Sequence, residues 1–205
     1  MALVMFDYDG VIADSLDFHC QDFIAAFHDN GFYGVNTTEE LLALYDGNVY
    51  ASLLEMGLDA GKIEKIMDSY AIKQAKHLAE VNLFDGMAQA LASIGKKHKL
   101  FIITSNFSNA IFEVMQRFGI DCIVDVIGAE KEISKIKKIR NTISIFPHLP
   151  AYYIGDTKGD MLEGKKAGAK TIGVAWGWHG VQKLQEGNPD YIVHTPEELV
   201  EVLNG

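Results

Sequence analysis

Arginine is almost missing from this chain. Of 205 residues only Arg117 and Arg140 are arginine, and the formal net charge is −10. Binding to a phosphate backbone needs clustered Lys and Arg, so nucleic acid is excluded as a main partner. Cysteine is equally scarce. Cys20 and Cys122 lack the spacing of a metal site and read as two reduced thiols in a reducing compartment. No uninterrupted apolar run is long enough to span a bilayer. The first apolar run has no basic residues before it and stops at Asp7, so no secretory signal is expected. Internal repeats and low-complexity segments are also absent. These absences predict a cytoplasmic protein with neither nucleic acid nor membrane as partner; they do not separate a monomer from a homodimer.

What is present is an ordinary globular composition, 48% hydrophobic, sufficient for a sizeable core. Short runs rich in Ile, Val, Tyr and Phe recur at Ala2–Phe6, Leu100–Thr104, Cys122–Ile127, Ala151–Ile154, Thr171–Ala175 and Tyr191–Val193. Their nearly continuous apolar character predicts parallel strands covered on both faces. Helical patterns such as Asn109–Phe118 and Lys158–Ala167 lie between them. The alternation predicts a doubly wound, Rossmann-like α/β core with a parallel sheet.

One connection is too long for that pattern. Between Ser15 and Leu83 the sequence reads as helices only: Phe18–Asn30, Thr38–Tyr45, Val49–Met56 and Lys62–Ala79. Thr37-Thr38-Glu39-Glu40 has the small polar and acidic residues of a helix start. The expected organisation is a core of residues 1–14 and 84–205 with an inserted all-helical cap, residues 15–83. The crossings Ala13–Asp17 and Val81–Gly86 are expected to act as hinges.

The most informative run is Met5-Phe6-Asp7-Tyr8-Asp9-Gly10-Val11. Two aspartates stand two apart where a strand gives out, so both side chains point to one side. Open α/β sheets bind ligands at that edge. A bare DxDG also reads as an exposed turn with solvated acids. A second acidic pair, Gly155-Asp156-Thr157-Lys158-Gly159-Asp160, follows another apolar strand. Alone it reads equally as a polar turn opening a helix. In a parallel sheet, however, both pairs reach the same edge. Carboxylates that converge repel one another, and a hard divalent cation with oxygen ligands, Mg²⁺, is the economical remedy.

A third strand ends in Thr104-Ser105-Asn106. A hydroxyl and successive amides at a helix start can bind an anion, although these residues are also common helix caps. A bound phosphate here needs a cation. Of Lys131, Lys135, Lys137 and Lys138, most read as a solvated helix face. Lys135 sits where a loop hands over to a helix and is the first candidate to turn inward. Lys138 is the second.

With these motifs in order, the chain resembles the haloacid dehalogenase-like hydrolases, specifically the phosphoglycolate phosphatase and β-phosphoglucomutase branch with a helical cap. Asp7-Tyr8-Asp9-Gly10-Val11-Ile12-Ala13-Asp14-Ser15 is similar to the first family motif, Thr104 to the second, Lys135 to the third, and Gly155–Asp160 to the fourth. The run Trp176-Gly177-Trp178-His179-Gly180, followed by Pro189-Asp190-Tyr191, also resembles the phosphatase branch.

The resemblance implies a Mg²⁺-dependent phosphatase acting on a small phosphate monoester through an aspartyl-phosphate. Asp7 is the implied nucleophile and Asp9 the general acid and base. Thr104, Lys135, Ser105 and Asn106 would hold the phosphate. The metal would be held by Asp7, Asp156 and the backbone carbonyl of Asp9, with Asp160 acting through water or positioning Lys135. An acid at position 9 points to an oxygen leaving group rather than a carbon–halogen bond. A phosphomutase of the β-phosphoglucomutase type is the alternative. A receiver-like or protein-binding homologue without catalysis is a remote one.

The expected cap carries eleven Asp and Glu, four Lys and no Arg. Its loop Leu44-Tyr45-Asp46-Gly47-Asn48-Val49-Tyr50 resembles the family's specificity loop but holds no cation. Asp46, Asn48 and Tyr50 are therefore expected to line the substrate site and to suit a neutral or cationic leaving group. His19 resembles in place a histidine that some mutase relatives use, and reads equally as a packing or surface residue. His179 reads either as part of the pocket rim or as packing. Phe18, Phe23 and Phe27 read as packing on one helix face.

Overall fold

The structure, a computed structural model, describes residues 1–205, and its sheet is built around β1 (Leu3–Phe6). Every β1 side chain is buried, and the pleat divides them between two cores. Val4 and Phe6 join a large apolar cluster on one face, while Leu3 and Met5 join a smaller one on the other. This is why the strand reads as continuously apolar rather than alternating.

After β1 the chain makes a two-residue strand, β2 (Ala13–Asp14), and enters four helices: α1 (Leu16–Asp29), α2 (Thr38–Ala43), α3 (Val49–Glu55) and α4 (Ala60–Gln74). It returns through β3 (Asn82–Leu83) and α5 (Met87–Gly95) to β4 (Lys99–Ile103). The remainder alternates: α6 (Ser108–Arg117), β5 (Ile123–Ile127), α7 (Lys135–Ile145), β6 (Ala151–Gly155), α8 (Lys158–Ala167), β7 (Lys170–Val174), α9 (Gly180–Glu186), β8 (Tyr191–Val193) and α10 (Pro196–Asn204).

Six strands form one sheet in the order β5-β4-β1-β6-β7-β8, with every pairing parallel. The order reverses direction at β1, which lies between β4 and β6. In open α/β sheets such a switch point opens a crevice at the carboxyl ends of the strands. Asp7, Thr104 and Asp156 each follow one of these three adjacent strands.

Helices α1 to α4 have an apolar cluster of their own, centred on Phe23, Phe27, Leu41, Leu53 and Ile66. Thr37 and Glu40 close a reciprocal capping box at the start of α2. The helical segment leaves and rejoins the sheet through β2 and β3, which pair antiparallel, Ala13 with Leu83 and Asp14 with Asn82. Neither short strand is legible in the sequence, since two residues carry no periodicity. The fourth helix is also shorter than its pattern: α4 ends at Gln74 and the chain turns through Glu80. Cys20 and Cys122 are both free thiols. No helix is long and apolar enough to cross a membrane.

Candidate active site

Asp7 follows β1 directly, with its Oδ1 accepting the backbone N–H of Tyr8 at 2.8 Å. Its Oδ2 lies 2.8 Å from Nζ of Lys135, the first residue of α7. The same ammonium donates to Oδ1 of Asp160 at 2.7 Å. Oδ2 of Asp160 accepts from the hydroxyl of Thr157 at 2.7 Å and from its backbone N–H at 3.2 Å, within the capping box that opens α8. Both oxygens of Asp160 are thus engaged, one of them in holding Lys135.

Asp156 is the opposite case. Its Oδ2 accepts the Trp178 N–H at 2.7 Å, but its buried Oδ1 has no partner. Carboxylate oxygens of Asp7, Asp156 and Asp160 lie within 4.8 Å of one another. Three buried acids therefore share one ammonium. Burial raises the Asp156 carboxyl well above the usual carboxylate range, with Asp160 and Asp7 adding repulsion. Burial likewise raises Asp7, to about 7, although Lys135 pulls it down. Burial would also raise Asp160, but Lys135 and the Thr157 bonds more than offset it. Lys135 itself is held charged: burial opposes this, and Asp160 followed by Asp7 outweigh it. The orphaned oxygen and the uncompensated charge fit a hard divalent cation with oxygen ligands.

Asp9 faces other company. Its Oδ1 accepts from the Ser15 hydroxyl at 2.7 Å and its Oδ2 from the Asn106 side-chain amide at 3.0 Å. Gly10 follows with φ +74°. A Cβ there would meet Oδ2 of Asp156 at 2.1 Å, so both the turn and the close approach of the second acidic motif require glycine.

Thr104, Ser105 and Asn106 line the cavity with Asp7, Asp9, Lys135 and Asp156. The Thr104 hydroxyl accepts the Asn106 N–H at 3.0 Å. Lys138 is buried but bonds the Thr104 carbonyl rather than a carboxylate. Lys131 and Lys137 pair with Asp125 and Glu132 at the surface. Of the four lysines, only Lys135 reaches the acids.

The expectation for the loop after α2 needs correction. Asp46 turns away from the cavity and pairs with Lys183 of α9 at 2.7 Å. Asn48 caps α3 through Ala51 N–H at 3.3 Å and donates to Glu163 at 3.0 Å. Tyr50 faces a separate apolar groove with Leu54, Ile63 and Phe107. None of the three lines the cavity. Asn48 and Tyr50 belong to the N-cap and first turn of α3, whereas for Asp46 the reason is a single 3₁₀ turn over Leu44–Asp46. Successive side chains there point about a third of a turn apart: Leu44 enters the helical core, Tyr45 the cavity, and Asp46 faces Lys183.

His19 is buried in the cavity wall, with Nδ1 2.9 Å from the Tyr70 hydroxyl and Nε2 2.8 Å from that of Tyr45. Burial drives its pKa down to about 4 against the pull of Asp9, so the ring is neutral. Trp178 packs on it at 4.6 Å. Phe23 lines the cavity as well as packing in the helical core. His179 lies outside the cavity lining. Its Nδ1 accepts the Lys158 N–H at 3.1 Å and its Nε2 lies 3.0 Å from the Leu42 carbonyl, tying α8 to the helical segment. Tyr45, Tyr70 and Trp178 are lining residues that sequence reasoning did not select. Nothing local distinguishes them from packing aromatics, although Tyr45 stands in the loop whose neighbours were chosen.

A parallel sheet with its switch point at β1, an acid cluster at the carboxyl edge and a helical segment covering it together define a Rossmann-like hydrolase core. The chain belongs to the haloacid dehalogenase-like hydrolase family, whose pattern matches residues 4–174. It is 25% identical to the pyrophosphatase PpaX of Anoxybacillus flavithermus over 98% of this chain and 95% of that protein. It is also 25% identical to a phosphoglycolate phosphatase of Synechococcus elongatus over 99% and 97%. A haloacid dehalogenase-like family hydrolase of Streptococcus pneumoniae shares the fold, with a TM-score of 0.80 at 23% identity, covering 98% of each chain.

Proposed function

We propose that this chain is a Mg²⁺-dependent phosphatase that hydrolyses a small phosphate monoester through an aspartyl-phosphate at Asp7. The observation that best supports this is the separation of two aspartates from one strand end into unlike surroundings. Asp7 faces Lys135 and the acid cluster, whereas Asp9 rests on the neutral donors Ser15 and Asn106. Two carboxyl groups in unlike environments can take different roles.

Asp7 attacks phosphorus, and the bond to the leaving oxygen breaks as protonated Asp9 gives that oxygen its proton. Asp9 then takes a proton from water, which attacks the aspartyl-phosphate, releases inorganic phosphate and restores Asp7. Lys135 and Thr104, with Ser105 and the adjoining backbone, cradle the phosphoryl oxygens. Asp160 positions Lys135. Asp7, Asp156 and the Asp9 carbonyl would hold Mg²⁺, which when bound offsets the repulsion between an anionic nucleophile and an anionic phosphate.

Residues 15–83 act as a cap that excludes bulk water, hinged where β2 and β3 pair. The cap loop Leu44–Tyr50 carries no cation to hold a second phosphate, which favours a phosphatase over a mutase. The names of the pyrophosphatase and phosphoglycolate phosphatase relatives support phosphoryl chemistry.

The test is Mg²⁺-dependent release of phosphate from phenyl phosphate. Turnover should drop about a thousandfold or more in Asp7→Asn. Folded protein that releases no phosphate with Mg²⁺ present, or an active Asp7→Asn variant, would overturn the reading.

A further inference from the structure

The cavity wall opposite the carboxylates is uncharged, and its hydroxyls and imidazole form one hydrogen-bonded chain. The Gln74 amide donates to the Tyr70 hydroxyl at 2.9 Å. The Tyr70 proton then has Nδ1 of His19 as its acceptor, at 2.9 Å. A neutral imidazole that accepts at Nδ1 carries its proton on Nε2, so His19 donates to the Tyr45 oxygen at 2.8 Å. The proton of the Tyr45 hydroxyl is left without an acceptor in the protein, on a side chain that lines the same cavity as Asp9. Trp178 packs against both rings, 4.6 Å from His19 and 5.4 Å from Tyr45, and fixes their orientation.

We propose that the relay Gln74–Tyr70–His19–Tyr45 presents the Tyr45 hydroxyl as a donor to a free hydroxyl oxygen of the leaving group, distinct from the ester oxygen that Asp9 protonates, which makes the site selective for phosphate esters of small, uncharged hydroxyl compounds. The proposal rests on the phosphatase reading above. Tyr45 is the specificity residue. His19, Tyr70 and Gln74 are positioning residues that act through it.

Charge supports the same substrate class. Lys135 is the one cation lining the cavity, and its ammonium already bonds Asp7 and Asp160. A second anion on the leaving group would meet only neutral donors, among them the Tyr45 hydroxyl and the unpartnered indole N–H of Trp178, and burying a charge without a counter-charge is costly. Phe23, Val49 and Met67 give the carbon skeleton an apolar wall. A carboxylate-bearing or diphosphate substrate is therefore disfavoured, unlike those named for the relatives PpaX and phosphoglycolate phosphatase.

The experiment compares kcat and KM, with Mg²⁺, on glycerol 1-phosphate, phenyl phosphate, phosphoglycolate and pyrophosphate. The first carries free hydroxyls, the second none, and the last two a further anion. Wild-type kcat/KM should favour glycerol 1-phosphate over both substrates that carry a further anion by about tenfold or more. Tyr45→Phe should raise KM for glycerol 1-phosphate about five- to tenfold and leave phenyl phosphate within about twofold. Gln74→Glu, at the far end of the relay, turns the donor to Tyr70 into an acceptor and reverses every hydrogen bond in it. It should reproduce the KM rise on glycerol 1-phosphate without a matching fall in kcat on phenyl phosphate. A preference for phosphoglycolate or pyrophosphate, or equal losses on all substrates in both variants, would overturn the relay while leaving the phosphatase intact. Absence of phenyl phosphate turnover by folded wild type would overturn both.

Discussion

Gly10 and Asp156 are packed so closely that one added carbon separates compatibility from collision: a Cβ on Gly10 would stand 2.1 Å from Oδ2 of Asp156. The two acidic motifs, far apart in the chain, thus share one volume at the end of the sheet. The same turn holds Gly10 at φ +74°. Gly10→Ala should therefore lower stability by about 1–3 kcal/mol through backbone strain alone. It should also displace Asp156 and depress turnover. Calorimetric melting read beside phosphate release checks both effects, and an unchanged Tm would contradict the packing.

The acid cluster should respond to pH in a definite direction. Asp7 is raised to about 7 by burial against the pull of Lys135, and Asp156 is raised by burial with repulsion from Asp160 and Asp7. Both groups bind protons more tightly folded than unfolded. Their stabilisation is complete below the unfolded carboxylate range and is lost as pH rises through the folded values, near 7 for Asp7. Without divalent cation, Tm should fall from about pH 5 to about pH 8. Mg²⁺ competes with those protons, so its increase in Tm should be larger at about pH 8 than at about pH 5. Equal shifts at both pH values would count against Asp7 and Asp156 as its holders.

Lys135 and Lys138 are both buried, yet substitution should separate them. Lys135 bonds Asp7 and Asp160, while Lys138 bonds the Thr104 carbonyl. Lys135→Met should cost about 10²–10³ in kcat. It also leaves two buried acids unpaired, a loss of about 3–5 kcal/mol without metal. Lys138→Met leaves that pairing intact and should retain more activity. Phosphate release and urea unfolding of the two variants provide the comparison, and the reverse ranking of kcat would exchange their roles.

Asp46 offers a test of the corrected loop. Its partner is Lys183 at 2.7 Å, a half-exposed pair outside the cavity. Such pairs contribute about 0–1 kcal/mol. Asp46→Ala should accordingly leave KM for glycerol 1-phosphate within about fivefold of wild type and move Tm only slightly. A large selective rise in KM would return Asp46 to the site.

Much of the core was legible because its signals are local. An apolar run covered on both faces reads as a parallel strand, and the six expected strands all occur within a residue or so of their sequence positions. The N-terminal position of Lys135 on α7 was likewise visible from its loop-to-helix context. The helical insertion showed itself by length and by the absence of strands. The pairing of β2 with β3 did not show, because a two-residue strand is defined by its partner alone.

The cavity wall was the least legible part. Sequence reasoning chose Asp46, Asn48 and Tyr50 by their polarity, but Asp46 pairs with Lys183, Asn48 bonds Glu163, and Tyr50 lines a separate apolar groove. Tyr45, adjacent to one of them, lines the cavity because a 3₁₀ turn rotates it inward. Asn106 was expected on the phosphate; it lines the cavity, and its side-chain amide also donates to Asp9.

By itself the sequence determined the sheet, the insertion and the acids that follow β1 and β6, because apolar runs and turn glycines act over a few residues. Only the tertiary structure decided which side chains face one another across the cavity. His19 meets Tyr45 and Tyr70 at separations of 26 and 51 residues, and Lys135 meets Asp7 at 128. Contacts at that range depend on how the layers pack, and no local pattern along the chain encodes them.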